Sequence, residues 1–79
     1  MGMTINWAMK ILIIEDDKDI AELIEYNLTQ EKIGCEVVRN GADGLQKARR
    51  LLPAIIILDL MLPDMGGIEI CKILKNDSK

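Results

Sequence analysis

Residues 55–67 read I-I-I-L-D-L-M-L-P-D-M-G-G. Together with Ala54, the first four make the most apolar run in the chain, and it stops abruptly at Asp59. A short, unbroken, β-branched run bounded by charge suits a strand buried on both faces. Residues 62–67 (L-P-D-M-G-G) form a loop by composition. Ile70, Ile73 and Leu74 then recur at helical spacing and mark a helix that runs to the polar residues 76–79. Strand, carboxylate, loop and helix make one β-α unit.

Two more such units precede it. Residues 10–14 (K-I-L-I-I) read as a doubly buried strand, followed at once by Glu15, Asp16, Asp17 and Asp19. Ile20, Leu23, Ile24 and Leu28 define the apolar stripe of a helix, with Asp16 or Asp17 as its cap and Gly34 where it should end. Residues 35–39 (C-E-V-V-R) are a second strand, Asn40-Gly41 a turn signal, and Leu45, Ala48 and Leu52 one face of a second helix closed by Pro53. The order β-α-β-α-β-α implies right-handed parallel crossovers: an α/β fold with an open parallel sheet of three β-α units.

Composition narrows the function. The chain has 79 residues, 49% of them hydrophobic, with Trp7 and Tyr26 as its aromatics. The core is therefore aliphatic, and a domain this small buries only about 60% of its unfolded surface. A net charge of −3 argues against nucleic acid as a direct ligand, since phosphates need a Lys/Arg surface. Cys35 and Cys71 are too few and too distant for a disulfide framework, and both are expected as small buried hydrophobes. No secretory signal or membrane-length apolar run is visible, so a cytoplasmic location is the default. Residues 1–9 form an N-terminal extension, native or a tag remnant. In it Met3, Ile5 and Trp7 alternate with polar or small residues, so it could extend the first strand or pair with an edge.

The chemistry is expected where strands end. Ligands of open parallel sheets bind outside the carboxyl ends of the strands. Strand one ends in Glu15-Asp16-Asp17 and strand three in Asp59. If these strands are neighbours, several carboxylates converge, and such like charges coexist best around a hard cation such as Mg²⁺. Each feature has a plainer reading when taken alone. The acidic cluster could be only a helix cap, and Asp59 only a strand-end residue. Asp64 reads as a turn residue, Met61 and Met65 as packing residues, and Cys71 as core. No G-x-G-x-x-G nucleotide loop is present, and no Gly and Glu follow the acidic cluster at calcium-loop spacing.

The segments I-L-I-I-E-D-D (11–17), N-G-A-D-G-L (40–45) and 55–67, in that order, resemble the receiver domain of two-component response regulators. The likeness spans roughly residues 10–75. It implies a flavodoxin-like strand order of two-one-three. It also implies Asp59 as acceptor of a phosphoryl group from a sensor histidine kinase, and a Mg²⁺ site made by Asp16, Glu15 (directly or through water), Asp59 and the Met61 carbonyl. Pro63 and Gly67 would shape the loop into helix three. Such a domain is a phosphoacceptor that assists its own phosphorylation, not a turnover enzyme.

Complete receivers resemble five β-α units, with a hydroxyl residue after strand four and a lysine after strand five. Residues 10–79 therefore read as a partial receiver domain, and Lys72, Lys75 and Lys79 are not placed to stand in for that lysine. In this half-domain strand three becomes an apolar edge, so a homodimer or swapped assembly through it is expected. The alternative function is accordingly an assembly unit without phosphorylation activity. A dehalogenase-type phosphatase ranks last, because it needs a second Asp where Met61 stands.

Overall fold

Ile11–Ile14 form β1, and every residue of this strand is buried. An aliphatic strand with no polar face belongs in the middle of a sheet, and β1 lies there. β2 (Cys35–Val38) and β3 (Ile55–Leu58) flank it in the order β2-β1-β3, both parallel to it. This computed structural model describes residues 10–77. The expected roles of residues 1–9, Trp7 among them, lie outside the described residues. Three helices alternate with the strands: α1 (Lys18–Gln30), α2 (Gly41–Leu51) and α3 (Gly67–Asp77).

The connection from β1 to β2 runs one way along the sheet, and the connection from β2 to β3 runs back across β1. With right-handed crossovers, α1 and α2 must then lie on opposite faces. The pleat of β1 serves both faces in turn. Leu12 and Ile14 pack with Leu45 and Ala48 of α2, with Leu62, and with Ile70 of α3, flanked by Val38, Ile56, Leu58, Met65, Ile73 and Leu74. Ile11 and Ile13 face the other way. There α1 contributes Ala21 as its buried residue, while Leu23 and Tyr26 remain 62% exposed.

Helix ends differ partly from expectation. Asp17, not Asp16, caps α1, accepting from the N–H groups of Asp19 (2.9 Å) and Ile20 (3.1 Å). Gly34 does not end this helix. Lys32 takes the left-handed position at φ 59°, with Lys32 N–H on the Thr29 carbonyl and Ile33 N–H on that of Leu28. That pair of bonds satisfies the last carbonyls without glycine. Leu52 likewise takes the left-handed position after α2, at φ 48° with its N–H on the Ala48 carbonyl, and Pro53 follows as expected. The cysteine expectations need correction. Cys71 is exposed and Cys35 only partly buried, because α3 turns Ile70 rather than its neighbour into the core.

Candidate functional site

The strands end level with one another. Ile14 is in register with Val38 on one side and Leu58 on the other. The ladder runs one step further: Glu15 N–H donates to the Val38 carbonyl (3.0 Å) and Asp59 N–H to that of Ile14 (2.9 Å). Glu15, Arg39 and Asp59 therefore leave the sheet along one line, at its carboxyl edge.

Carboxylate oxygens of Glu15, Asp16 and Asp59 lie within 4.8 Å of one another. These three expected residues are thus brought together. Two opposite oxygens on an octahedral Mg²⁺ stand about 4.2 Å apart. The donor set is hard and oxygen-only, and little movement would close it around such an ion. The sequence's fourth ligand, the Met61 carbonyl, belongs to the loop that follows Asp59. The Met61 side chain is 83% exposed, so it does not pack as expected, whereas Met65 does pack against the core.

Crowding divides the carboxylates. Partial burial, and then the neighbouring Asp59 and Asp16 charges, push the Glu15 carboxyl above its usual range against a bond from Asp17 N–H. Asp59 is held below its usual range, chiefly by the Met61 N–H that donates to its Oδ1 at 3.0 Å and also by hydrogen bonding with Glu15 and Asp16. The surroundings thus push the Glu15 and Asp59 carboxyls in opposite directions.

Local backbone fixes these positions. Gly67 opens α3, and a Cβ there would sit 2.7 Å from the Asp59 carbonyl oxygen and 2.8 Å from Leu60 Cα. Only glycine lets α3 start so close behind the end of β3. Its N–H closes the loop on the Leu60 carbonyl at 2.9 Å, and Met61 bridges Gly66.

Two further residues of the site escaped sequence reasoning. Arg39 donates through Nε (3.2 Å) and Nη2 (2.5 Å) to the Asp16 main-chain carbonyl, tying the acidic turn to the end of β2. Lining up the three strand ends would have found it. Asp64 is more than a turn residue: its carboxylate accepts from the N–H groups of Gly41 (2.6 Å) and Ala42 (2.9 Å) at the start of α2. No sequence signal pairs positions so far apart.

The response regulator receiver domain profile matches residues 11–79. Among curated relatives, the DNA-binding response regulator MtrA of Mycolicibacterium smegmatis is 39% identical over 69 residues, 87% of this chain and 30% of that protein. Among solved structures, the signal receiver domain of a Luxo repressor protein from Vibrio parahaemolyticus superposes with a TM-score of 0.84 at 31% identity, covering 89% of this chain and 54% of that one. The Saccharomyces cerevisiae Ssk1 receiver domain, co-crystallised with the histidine phosphotransfer protein Ypd1, gives 0.84 at 26% identity, covering 89% and 48%. The chain thus spans about a third of the first relative and about half of the solved receiver chains.

Proposed function

The chain belongs to the response regulator receiver domain family, and on that premise we propose that it is a Mg²⁺-dependent phosphoacceptor module of two-component signalling, with Asp59 as the acceptor. The observation that carries the reading is the meeting of Glu15, Asp16 and Asp59 at the carboxyl edge of the sheet. In the proposed site these three residues and the Met61 carbonyl hold the ion. When bound, Mg²⁺ offsets charge on the transferred phosphoryl group.

The remaining chemistry falls to the protein. An Asp59 carboxylate oxygen attacks phosphorus in line; an O–P bond forms as the donor's N–P bond breaks, and the imidazole nitrogen keeps the electron pair. The Met61 N–H orients the Asp59 carboxylate and keeps it ionised, as a nucleophile must be. Gly67 lets α3 start directly behind the Asp59 and Leu60 main chain, which fixes where β3 hands over to the loop. The proposed donor is a phosphohistidine on a sensor kinase, in line with the Ssk1 receiver's pairing with a histidine phosphotransfer protein. The module is a stoichiometric acceptor in the cytoplasm, not a turnover enzyme. No helix among the described residues is long and apolar enough to cross a membrane. We assign these residues no nucleic-acid contact: MtrA's name describes a protein of which they match 30%, and their charge is −3.

A second reading, a homo-oligomeric assembly unit, is favoured by β3. It is an edge of the described sheet, and its Ile55 is 49% exposed. One experiment separates the two. Intact mass is measured after incubation with Mg²⁺ and a small phosphodonor, beside Asp59→Asn and a Mg²⁺-free control, with light scattering on the same samples. One added phosphoryl group that requires both Asp59 and Mg²⁺ supports the acceptor. A folded dimer that gains no mass supports the assembly unit, and a monomer at high concentration sinks it.

A further inference from the structure

Helix α2 begins with several N–H groups that no residue of the helix can satisfy. Its cap Asn40 serves one of them, accepting from Asp43 N–H at 2.9 Å. The N–H groups of Gly41 and Ala42 are served from another part of the chain, one by each oxygen of the Asp64 carboxylate. Both bonds favour the ionised form, and they hold the Asp64 carboxyl below its usual range. The contact is tight on its apolar side as well. A Cβ on Gly41 would stand 2.2 Å from Met65 Cγ, so the loop lies directly against the helix start.

This loop also carries the chemistry proposed above. It leaves β3 at Asp59, sends Met61 N–H back to Asp59 Oδ1, and bridges Met61 to Gly66. It closes where Gly67 N–H meets the Leu60 carbonyl. Buried Leu62 secures one side of it. Asp64, at the far tip, is the polar fastening between this small circuit and the rest of the fold. Released there, residues 61–66 would keep their tie to α3 but lose their fixed orientation over the end of β3.

We infer that Asp64 is a positioning residue: its grip on the start of α2 fixes the 60–66 loop so that Met61 presents its N–H to Asp59 and its carbonyl to the metal site. Recognition of the metal rests on the function proposed above; the mechanical coupling from Asp64 to the Met61 N–H does not. Sequence spacing cannot show this role, because the acceptor and its donors are 22 and 23 residues apart. Partners of this kind that orient the groups around a metal commonly govern roughly 10-fold or more of its affinity.

The test compares wild type, Asp64→Ala and Asp64→Asn by amide hydrogen exchange and by Mg²⁺ titration of the whole chain. With Asp64→Ala, exchange protection is expected to fall at Gly41 and Ala42 and also at Met61, and the Mg²⁺ dissociation constant to rise roughly 10-fold. Asp64→Asn keeps one acceptor oxygen and should fall between; it also serves as the folded comparison if the alanine variant does not fold. Protection lost at Gly41 and Ala42 alone, with Met61 and Mg²⁺ affinity unchanged, would overturn the proposal. If wild type binds no Mg²⁺ but Asp64→Ala still frees the Met61 amide, the positioning role stands and the phosphoacceptor reading falls. If wild type binds no Mg²⁺ and Asp64→Ala leaves the Met61 amide unchanged, both fail.

Discussion

The segment from Ile11 to Asp17 contains two opposite solutions to the same position in the fold. Its first four residues are aliphatic and 6% exposed or less; its next three are acidic and stand at the rim. The first half holds the sheet together and has no chemistry. The second half gathers charges that repel one another at the exposed rim of the sheet. Stability and function are thus set side by side along seven residues, and each can be perturbed almost separately.

The most damaging change should be in the aliphatic half. Leu12→Ala removes a fully buried side chain packed among α2 and α3 residues, at a cost of about 3 kcal/mol. In so small a domain that is a large part of the total. Urea unfolding should show a sharply lowered midpoint, and Mg²⁺ should restore part of it by mass action. An unchanged midpoint would mean that β1 is not the centre of the core.

Asp17→Ala divides the acidic half itself. Asp17 caps α1 and is not part of the carboxylate trio. Its loss should cost about 1 kcal/mol of stability and leave the Mg²⁺ dissociation constant alone. A large loss of metal affinity would move Asp17 into the site.

Glu15→Gln should produce the smallest shift in stability, with the opposite sign. Glu15 binds its proton more tightly in the folded chain than in the unfolded one. The folded state therefore gains from that proton below the ordinary carboxylate range and loses the gain as pH rises through the raised value. At neutral pH without metal, the glutamine variant should melt slightly above wild type. The gap should close as the solution is acidified. With saturating Mg²⁺ the order should reverse, because wild type binds the ion more tightly. Melting curves at neutral and acid pH, with and without Mg²⁺, read all three statements. A variant that melts below wild type in metal-free neutral buffer would contradict the electrostatic account.

Much of this was legible in the sequence, because the deciding signals are local. Aliphatic runs of strand length, helical spacing and the carboxylates after strands one and three each need only a few neighbouring residues. The parallel order then followed from alternation and handedness. The failures have a common cause in distance or in side-chain orientation. Gly34 attracted the helix end that Lys32 in fact makes, since a Schellman turn can accept a lysine at modest cost. Ile70 and Ile73 bracket Cys71 in sequence and suggest a core position, yet a helix turns adjacent residues about 100° apart and Cys71 faces out. Arg39 and Asp64 act on residues more than 20 positions away, and no periodicity encodes such contacts.

The level ends of the three strands carry a consequence for how this chain can vary. Each strand is four residues long, and all three begin and stop in the same register. One residue inserted into β1 or β3 would carry Glu15 or Asp59 about 3.3 Å along the sheet and turn its side chain to the opposite face. An insertion between Glu31 and Gly34, far from the carboxylates, would disturb neither. Length changes are therefore forbidden in the strands and permitted in the turns at their amino ends, so the spacing from strand start to carboxylate is the part of this sequence least free to drift.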